Sequence, residues 1–265
     1  MTRLAFQPSL DGQSQPSHDG PSRLSLDGLR VAVTGGTSGL GLALVEALDG
    51  HGAHVAFVAR REKLVTEVAS RHPNTHGIVG DVSRKEDTHR IAMRIAAALD
   101  GLDVLINNAS SLGPVPLALL ADTDCEDLEE ALATNVVGPF RLTKALLGAL
   151  AATAREGRPA LVINVSSDAA VTPYSGWGAY GASKAALLHM SRIWDAELER
   201  HGVRVVALDP GDMDTPLHAA AVPEADPTTL KRPADAAAEI VARIEAFLRH
   251  ETPHEARHEA VTASA

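Results

Sequence analysis

The chain has 265 residues, 45% of them apolar, and a formal charge of −10. That is enough apolar matter for a sizeable core, and the acidic balance argues against the basic surface that nucleic acid requires. No apolar run reaches the roughly 18 residues needed to cross a bilayer, so neither nucleic acid nor membrane is expected as a partner.

Residues 1–24 are rich in Ser, Gly, Pro and Asp and lack the apolar stretch of a secretory signal. They are expected to form a flexible tail, as is the polar segment 250–265. A single domain is expected between them, over residues 25–249. The one cysteine, Cys125, excludes an intrachain disulfide and fits a reducing compartment, the cytoplasm.

The first expected strand, Arg30–Thr34, runs into T-G-G-T-S-G-L-G (Thr34 to Gly41) and then a helix over 40–50. Glycine at 35 and 39 permits positive φ and close backbone approach, and Gly41 lets the helix pack on the sheet. Thr37, Ser38 and Leu40 complete a turn whose helix start offers N–H groups and a positive dipole end to a pyrophosphate. The second strand, His54–Ala59, ends in A-R-R-E. Dinucleotide folds that take NAD place a carboxylate here for the ribose 2′-OH. Ala59 stands at that position, followed by Arg60 and Arg61, which can pair with a 2′-phosphate. NADP(H) is therefore expected over NAD(H), with Arg60 the nearer partner.

A helix over 62–71, a strand Gly77–Gly80, a helix over 84–99 and a strand Val104–Asn107 come next. One long helix over 125–150, a strand Ala160–Val165, a helix over 176–200, a strand Val203–Leu208 and a helix over 234–249 complete the series. The strands are continuous Val/Ile/Leu runs, as expected of parallel strands covered on both faces. The alternation predicts an α/β, single-domain, doubly wound parallel sheet of Rossmann type, with six to seven strands and helices on both faces. Tyr180 and Lys184 are four apart on the helix over 176–200 and project from one face. An ammonium beside a phenol favours phenolate and brings its pKa towards the working range.

Six motifs stand in order: the glycine turn, Asp81-Val82, N-N-A-S (Asn107–Ser110), Asn135, V-S-S (Val165–Ser167) with Y-G-A-S-K (Tyr180–Lys184), and P-G-D-M-D-T (Pro210–Thr215). In this the chain resembles the classical short-chain dehydrogenase/reductase family over roughly residues 26–248. The resemblance implies an oxidoreductase acting on a small carbonyl or alcohol. It gives Tyr180 the role of general acid in reduction and base in oxidation. Lys184 would depress its pKa and hold the nicotinamide ribose. Ser167 would hydrogen-bond the reacting carbonyl, with Ser166 the neighbouring alternative, and Asn135 would position a water in a proton relay. Asp81 would bind the adenine amino group, with Val82 and Ala109 beside the cofactor. Asn107 would support the central strand and the cofactor. After the sixth strand, Pro210 and Gly211 would follow the cofactor, and Met213 and Thr215 would face its carboxamide.

Ser110 stands where relatives usually carry glycine, and the usual glycine-rich final strand is missing, which favours a homodimer through the 125–150 and 176–200 helices over a tetramer. Candidate substrate residues are Ser111, Leu112, Asp168, Tyr174, Trp177, Met213 and Leu217, with His218–Pro233 as a short mobile lid. His250, His254 and His258 recur every four residues, but Pro253 interrupts the segment and no metal is expected. Two alternatives remain at this level: an NAD-dependent alcohol dehydrogenase of the same family, and a dinucleotide sensor without turnover.

Overall fold

The strands form because each is a run of β-branched and aliphatic side chains with no charge past its first residues. The computed structural model describes residues 26–250. Its elements in chain order are β1 (Arg30–Thr34), α1 (Gly39–Gly50), β2 (His54–Ala59), α2 (Glu62–Arg71), β3 (Thr75–Val79), α3 (Lys85–Leu99) and β4 (Val104–Asn107). Then come α4 (Cys125–Leu132), α5 (Gly138–Arg155), β5 (Ala160–Val165), α6 (Gly178–Leu198), β6 (Val203–Leu208), α7 (Pro216–Ala221) and α8 (Pro233–His250). The six strands make one sheet in the order β3-β2-β1-β4-β5-β6, every pairing parallel. The order reverses direction between β1 and β4, the switch point at which such sheets open a crevice above their carboxyl ends.

Strand alternation sorts the core into two layers. Val31, Val33, Val55, Phe57 and Ile106 face one side, where α1 and α8 bring Leu44, Leu48, Ile240 and Ile244. Ala32, Ala56, Val58, Leu105 and Val162 face the other, against Ile91 and Ile95 of α3 and Leu142, Leu146 and Leu150 of α5. Both faces are thus sealed, as a parallel sheet requires.

Three expectations need correction. β3 starts two residues earlier than the apolar run suggested, because polar Thr75 and His76 pair with Val55 and Ala56. The helix expected over 125–150 is broken: a π-helical turn, Ala133–Val137, separates α4 from α5, which continues to Arg155. Pro139 has no N–H to return to the carbonyl of Asn135 four residues back, so the regular ladder cannot pass that point. A Cβ on Gly138 would lie 2.8 Å from the Val82 carbonyl, so only glycine lets the restarting helix sit against that loop. The segment read as a mobile lid is tied down at its far end. Lys231 accepts from Asp214 N–H through its carbonyl (3.0 Å), donates its own N–H to the Asp212 carbonyl (3.1 Å), and its ammonium reaches Glu239 (2.8 Å) and the Pro210 carbonyl (3.1 Å). The tails expected at 1–24 and 250–265, with His254 and His258, lie outside the described residues; only His250 falls within them, as the last residue of α8.

The opposite end of the sheet is closed by one buried carboxylate. Asp103, with 0% exposure, accepts from Arg30 N–H (2.8 Å), from both arms of the Arg30 guanidinium (2.8 and 3.1 Å) and from Arg158 (2.7 Å). This pins the starts of β1, β4 and β5 together, and Arg30 is held further above its ordinary pKa by that bond. Asp103→Ala removes the shared acceptor and leaves the half-buried guanidinium of Arg30 without a carboxylate, holding only the Asp100 carbonyl and Thr153. A loss of about 3 kcal/mol is expected in urea unfolding; a change below about 0.5 kcal/mol would contradict this reading.

Candidate active site

Above the carboxyl ends of the strands lies a cleft of about 800 Å³. One end is built by the β1–α1 turn. Gly35 takes φ +74° and Gly39 φ +50°, a region that L side chains rarely occupy. A Cβ on Gly41 would lie 2.1 Å from the Gly35 carbonyl oxygen, so the close turn requires glycine there. Ser38 caps α1 without a side-chain hydrogen bond, leaving the first-turn N–H groups directed at the cleft. Thr37, Ser38, Leu40 and the three glycines all line it, as do Asp81, Val82 and Ala109. The Asp81 carboxylate is fixed by the N–H and hydroxyl of Ser83 (3.0 and 2.7 Å).

Arg60 and Arg61 are exposed at the end of β2, on the cleft wall. Neither forms a side-chain hydrogen bond or ion pair among the described residues. Glycine cradle, free helix start and two unpaired guanidiniums suit a phosphorylated dinucleotide by charge and shape.

Asn107 supports the central strand as expected but does so away from the cleft. Strand parity puts it on the same side as Leu105, facing α5, where it donates to Asn164 Oδ1 (2.8 Å) and Thr143 (3.3 Å). It does not line the cleft. The next residue does: Asn108 donates to the Thr34 carbonyl (2.8 Å), and the Thr34 hydroxyl accepts from Asn108 and Ala109 N–H (3.0 Å each). Asn108 and Thr34, which stand in N-N-A-S and in the glycine motif without an assigned role, therefore shape the turn.

At the other end of the cleft the first turn of α6 meets the end of β5. Tyr180, Lys184 and Ser167 all line this region. Lys184 is only 2% exposed; its ammonium donates to the Val165 carbonyl (2.8 Å) and lies 5.4 Å from the Tyr180 ring centre. Burial pushes this ammonium down to about 8, with Asp209 acting against it. Burial likewise pushes the Tyr180 phenol up to about 12, the hydroxyls of Ser167 and Ser110 pulling the other way. The lowering of Tyr180 expected from Lys184 is thus not what governs it here, since desolvation of the phenolate outweighs its neighbours. Trp177 packs edge-on against Tyr180 (5.7 Å between ring centres).

Asn135 sits in the π-helical turn and does not line the cleft either. Its carbonyl oxygen accepts from Ser111 N–H (2.8 Å) and the Ser110 hydroxyl (3.2 Å), and its amide donates to the Ser111 carbonyl and Ser183 Oγ (2.8 Å each). Ser183, fully buried and given no role when its motif was described, donates its hydroxyl to the Tyr180 carbonyl (2.6 Å). Asn135 is the clip between the loop after β4 and the helix that carries Tyr180. Of the two adjacent serines, Ser166 is sealed, its hydroxyl without a partner among the described residues, whereas Ser167 is half-buried and bonded to Asp168 (3.0 Å).

Pro210, Gly211, Met213 and Thr215 continue the wall beyond β6. The substrate candidates Ser111, Leu112, Asp168, Tyr174, Trp177, Met213 and Leu217 all border the cleft. Leu112, Ala169 and Tyr180 form a small apolar cluster there, with Trp177, Ala220 and Ala221 against it. The Asp168 carboxylate receives the Tyr174 hydroxyl (2.6 Å), which holds it below its ordinary range, with Ser167 adding to the effect. Among the described residues no group of His, Cys, Asp and Glu is placed to hold a metal ion, and no helix is long and apolar enough to cross a membrane.

Sheet order, crevice and glycine turn define a Rossmann-type α/β protein. The chain belongs to the short chain dehydrogenase family, whose family model matches residues 30–226. A short chain dehydrogenase of Pseudocercospora fijiensis is 36% identical over 203 residues, covering 73% of this chain and 62% of that one, so the match spans less than two thirds of that relative. A short chain dehydrogenase from Escherichia coli CFT073 complexed with NADPH superposes with a TM-score of 0.73 at 27% identity, over 82% of this chain and 90% of that one. An NADPH-bound carbonyl reductase from chicken fatty liver gives 0.72 at 26% identity, over 81% and 90%.

Asn135→Ala is expected to lower stability by about 2–4 kcal/mol, since Ser111 N–H and the Ser183 hydroxyl lose a buried partner. Hydrogen exchange should rise first at residues 110–111 and in the first turn of α6. Unchanged exchange at both places would show that the amide is not the clip described.

Proposed function

We propose that the protein interconverts a carbonyl and an alcohol with NADP(H), using Ser167, Tyr180, Lys184 and Asn135. One observation carries the reading: a hydroxyl, a phenol and a buried ammonium share a cleft with a glycine turn and two unpaired arginines. When bound, the dinucleotide supplies or accepts the hydride. The chain's own part is positioning and proton handling.

Tyr180, protonated at neutral pH, is the donor for the oxygen of a carbonyl being reduced, and Lys184 fixes its surroundings from beneath. Burial of the phenol keeps its proton available, and also means that it must be exchanged with the neighbouring polar groups rather than with bulk water. Ser167 lies next to it as the second hydroxyl. Asn135 holds the loop and helix that bring them together. Arg60 and Arg61, with no carboxylate at Ala59, favour a 2′-phosphate; the NADPH-bound relatives agree with this preference. The apolar wall of Leu112, Trp177, Ala220 and Ala221 suits a carbon-rich ring. Self-association through α5 and α6 accords with the exposed Phe140 and Ile193, and a cytoplasmic setting with the single cysteine.

Absorbance at 340 nm should show NADPH consumed with a carbonyl panel containing cyclohexanone, benzaldehyde and 1-tetralone. Tyr180→Phe should reduce turnover by about 10²–10⁴-fold while leaving NADPH binding within about threefold. Near-normal turnover by that folded variant would overturn the catalytic assignment. Arg60→Ala with Arg61→Ala should weaken NADPH by about tenfold or more and NADH little; equal losses would contradict the cofactor preference.

A further inference from the structure

Asp168 stands one residue after Ser167 and faces the same cleft. Its carboxylate takes two hydroxyls at once, Ser167 at 3.0 Å on one oxygen and Tyr174 at 2.6 Å on the other. The backbone N–H of Ala169 donates to Ser167 Oγ (3.2 Å). We propose that Asp168 fixes the hydrogen-bond polarity of Ser167, so that Ser167 meets the substrate as an acceptor and the site as folded complements the alcohol rather than the carbonyl. This rests on the functional reading above and deepens it.

The argument is a count of protons. An ionised carboxylate only accepts, and a hydroxyl has one proton and two lone pairs. Asp168 is held below the ordinary carboxylate range by Tyr174 first and Ser167 second, so it is ionised at neutral pH. Ser167 must then give it the single proton. Ala169 N–H occupies one of the two lone pairs, and one remains. Tyr180, pushed up to about 12 by burial, keeps its proton and is a donor. A ligand oxygen beside these groups therefore meets one donor and one acceptor. An alcohol oxygen matches both, because it accepts from Tyr180 and donates to Ser167. A carbonyl oxygen only accepts, so it satisfies Tyr180 and leaves Ser167 facing it lone pair to lone pair.

One neutral hydrogen bond gained or lost is worth about 1 kcal/mol, or roughly fivefold in affinity. Asp168 is a positioning residue in this scheme, since it acts through Ser167. A purely structural Asp168 would affect stability or kcat without changing which oxidation state binds better.

The test compares 1-tetralol with 1-tetralone. Dissociation constants are read in cofactor-free protein by isothermal titration calorimetry, and KM values are read in the loaded enzyme. Wild type should bind the alcohol about fivefold more tightly than the ketone. Asp168→Ala and Asp168→Val, each confirmed folded by thermal melting, remove the acceptor and should both shift the ketone-to-alcohol ratio by about tenfold towards the ketone, because the Ser167 proton is then free to turn to the ligand. A wild-type protein without alcohol preference, or a ratio unmoved in the folded variants, overturns the inference. If carbonyl turnover and its dependence on Tyr180 persist while the ratio stays put, only this inference fails. Loss of NADPH binding or of Tyr180 dependence would bring down the functional reading itself.

Discussion

Lys184 keeps its ammonium in a place with almost no water, tethered by one hydrogen bond to the Val165 carbonyl. An ammonium so placed costs stability unless the surroundings return part of its hydration. That requirement fixes much else. α6 must lie along the end of β5 for the bond to form. Tyr180 must then sit one turn earlier on the same helix face, with its ring over the ammonium. The first turn of α6 is in turn pinned through Ser183 to Asn135 and the loop after β4. The π-helical turn that carries Asn135 belongs to the same construction, because an uninterrupted helix would carry the amide elsewhere.

Charge is distributed unevenly along the cleft. Two arginines without partners among the described residues stand at the β2 end, whereas Asp168, Asp209 and Asp212 border the other. Under the proposed function this asymmetry orients an elongated, multiply charged dinucleotide, with its phosphate-rich half towards the arginines. The substrate half is then an apolar pocket with few polar groups, of which Ser167, Asp168 and Tyr174 are already committed to hydrogen bonds. Such pre-commitment limits how those groups can meet a ligand, and it makes one proton on Ser167 consequential.

The sheet was legible in the sequence because parallel strands must be apolar on both faces. Five of the six strands have the limits that their apolar runs suggest, and β3 alone is extended by residues whose polarity hid their pairing. The glycine turn and the Tyr180–Lys184 spacing were equally plain, since backbone sterics and helical periodicity act locally. Side-chain direction was less so. Asn107 and Asn108 are adjacent in sequence, yet the two-residue period of β4 sends the first into the α5 face and leaves the second at the cleft. The π-helical turn required seeing Pro139 and Gly138 as one device. The state of Tyr180 could not be read either: proximity to Lys184 suggested a lowered pKa, but burial is a property of the assembled fold and it outweighs the neighbour. The anchoring of the 218–233 segment through Lys231 depends on groups far apart in sequence.

The titration of the Lys184 side-chain ammonium tests the central claim most directly. NMR of lysine-labelled, cofactor-free protein would resolve it from the other four lysines, with Lys184→Met identifying its signal. Burial beneath β5 predicts a midpoint near 8, well under the ordinary value of about 10.4. A midpoint at or above roughly 10 would mean a hydrated ammonium, and the packing of α6 on β5 described here would be contradicted.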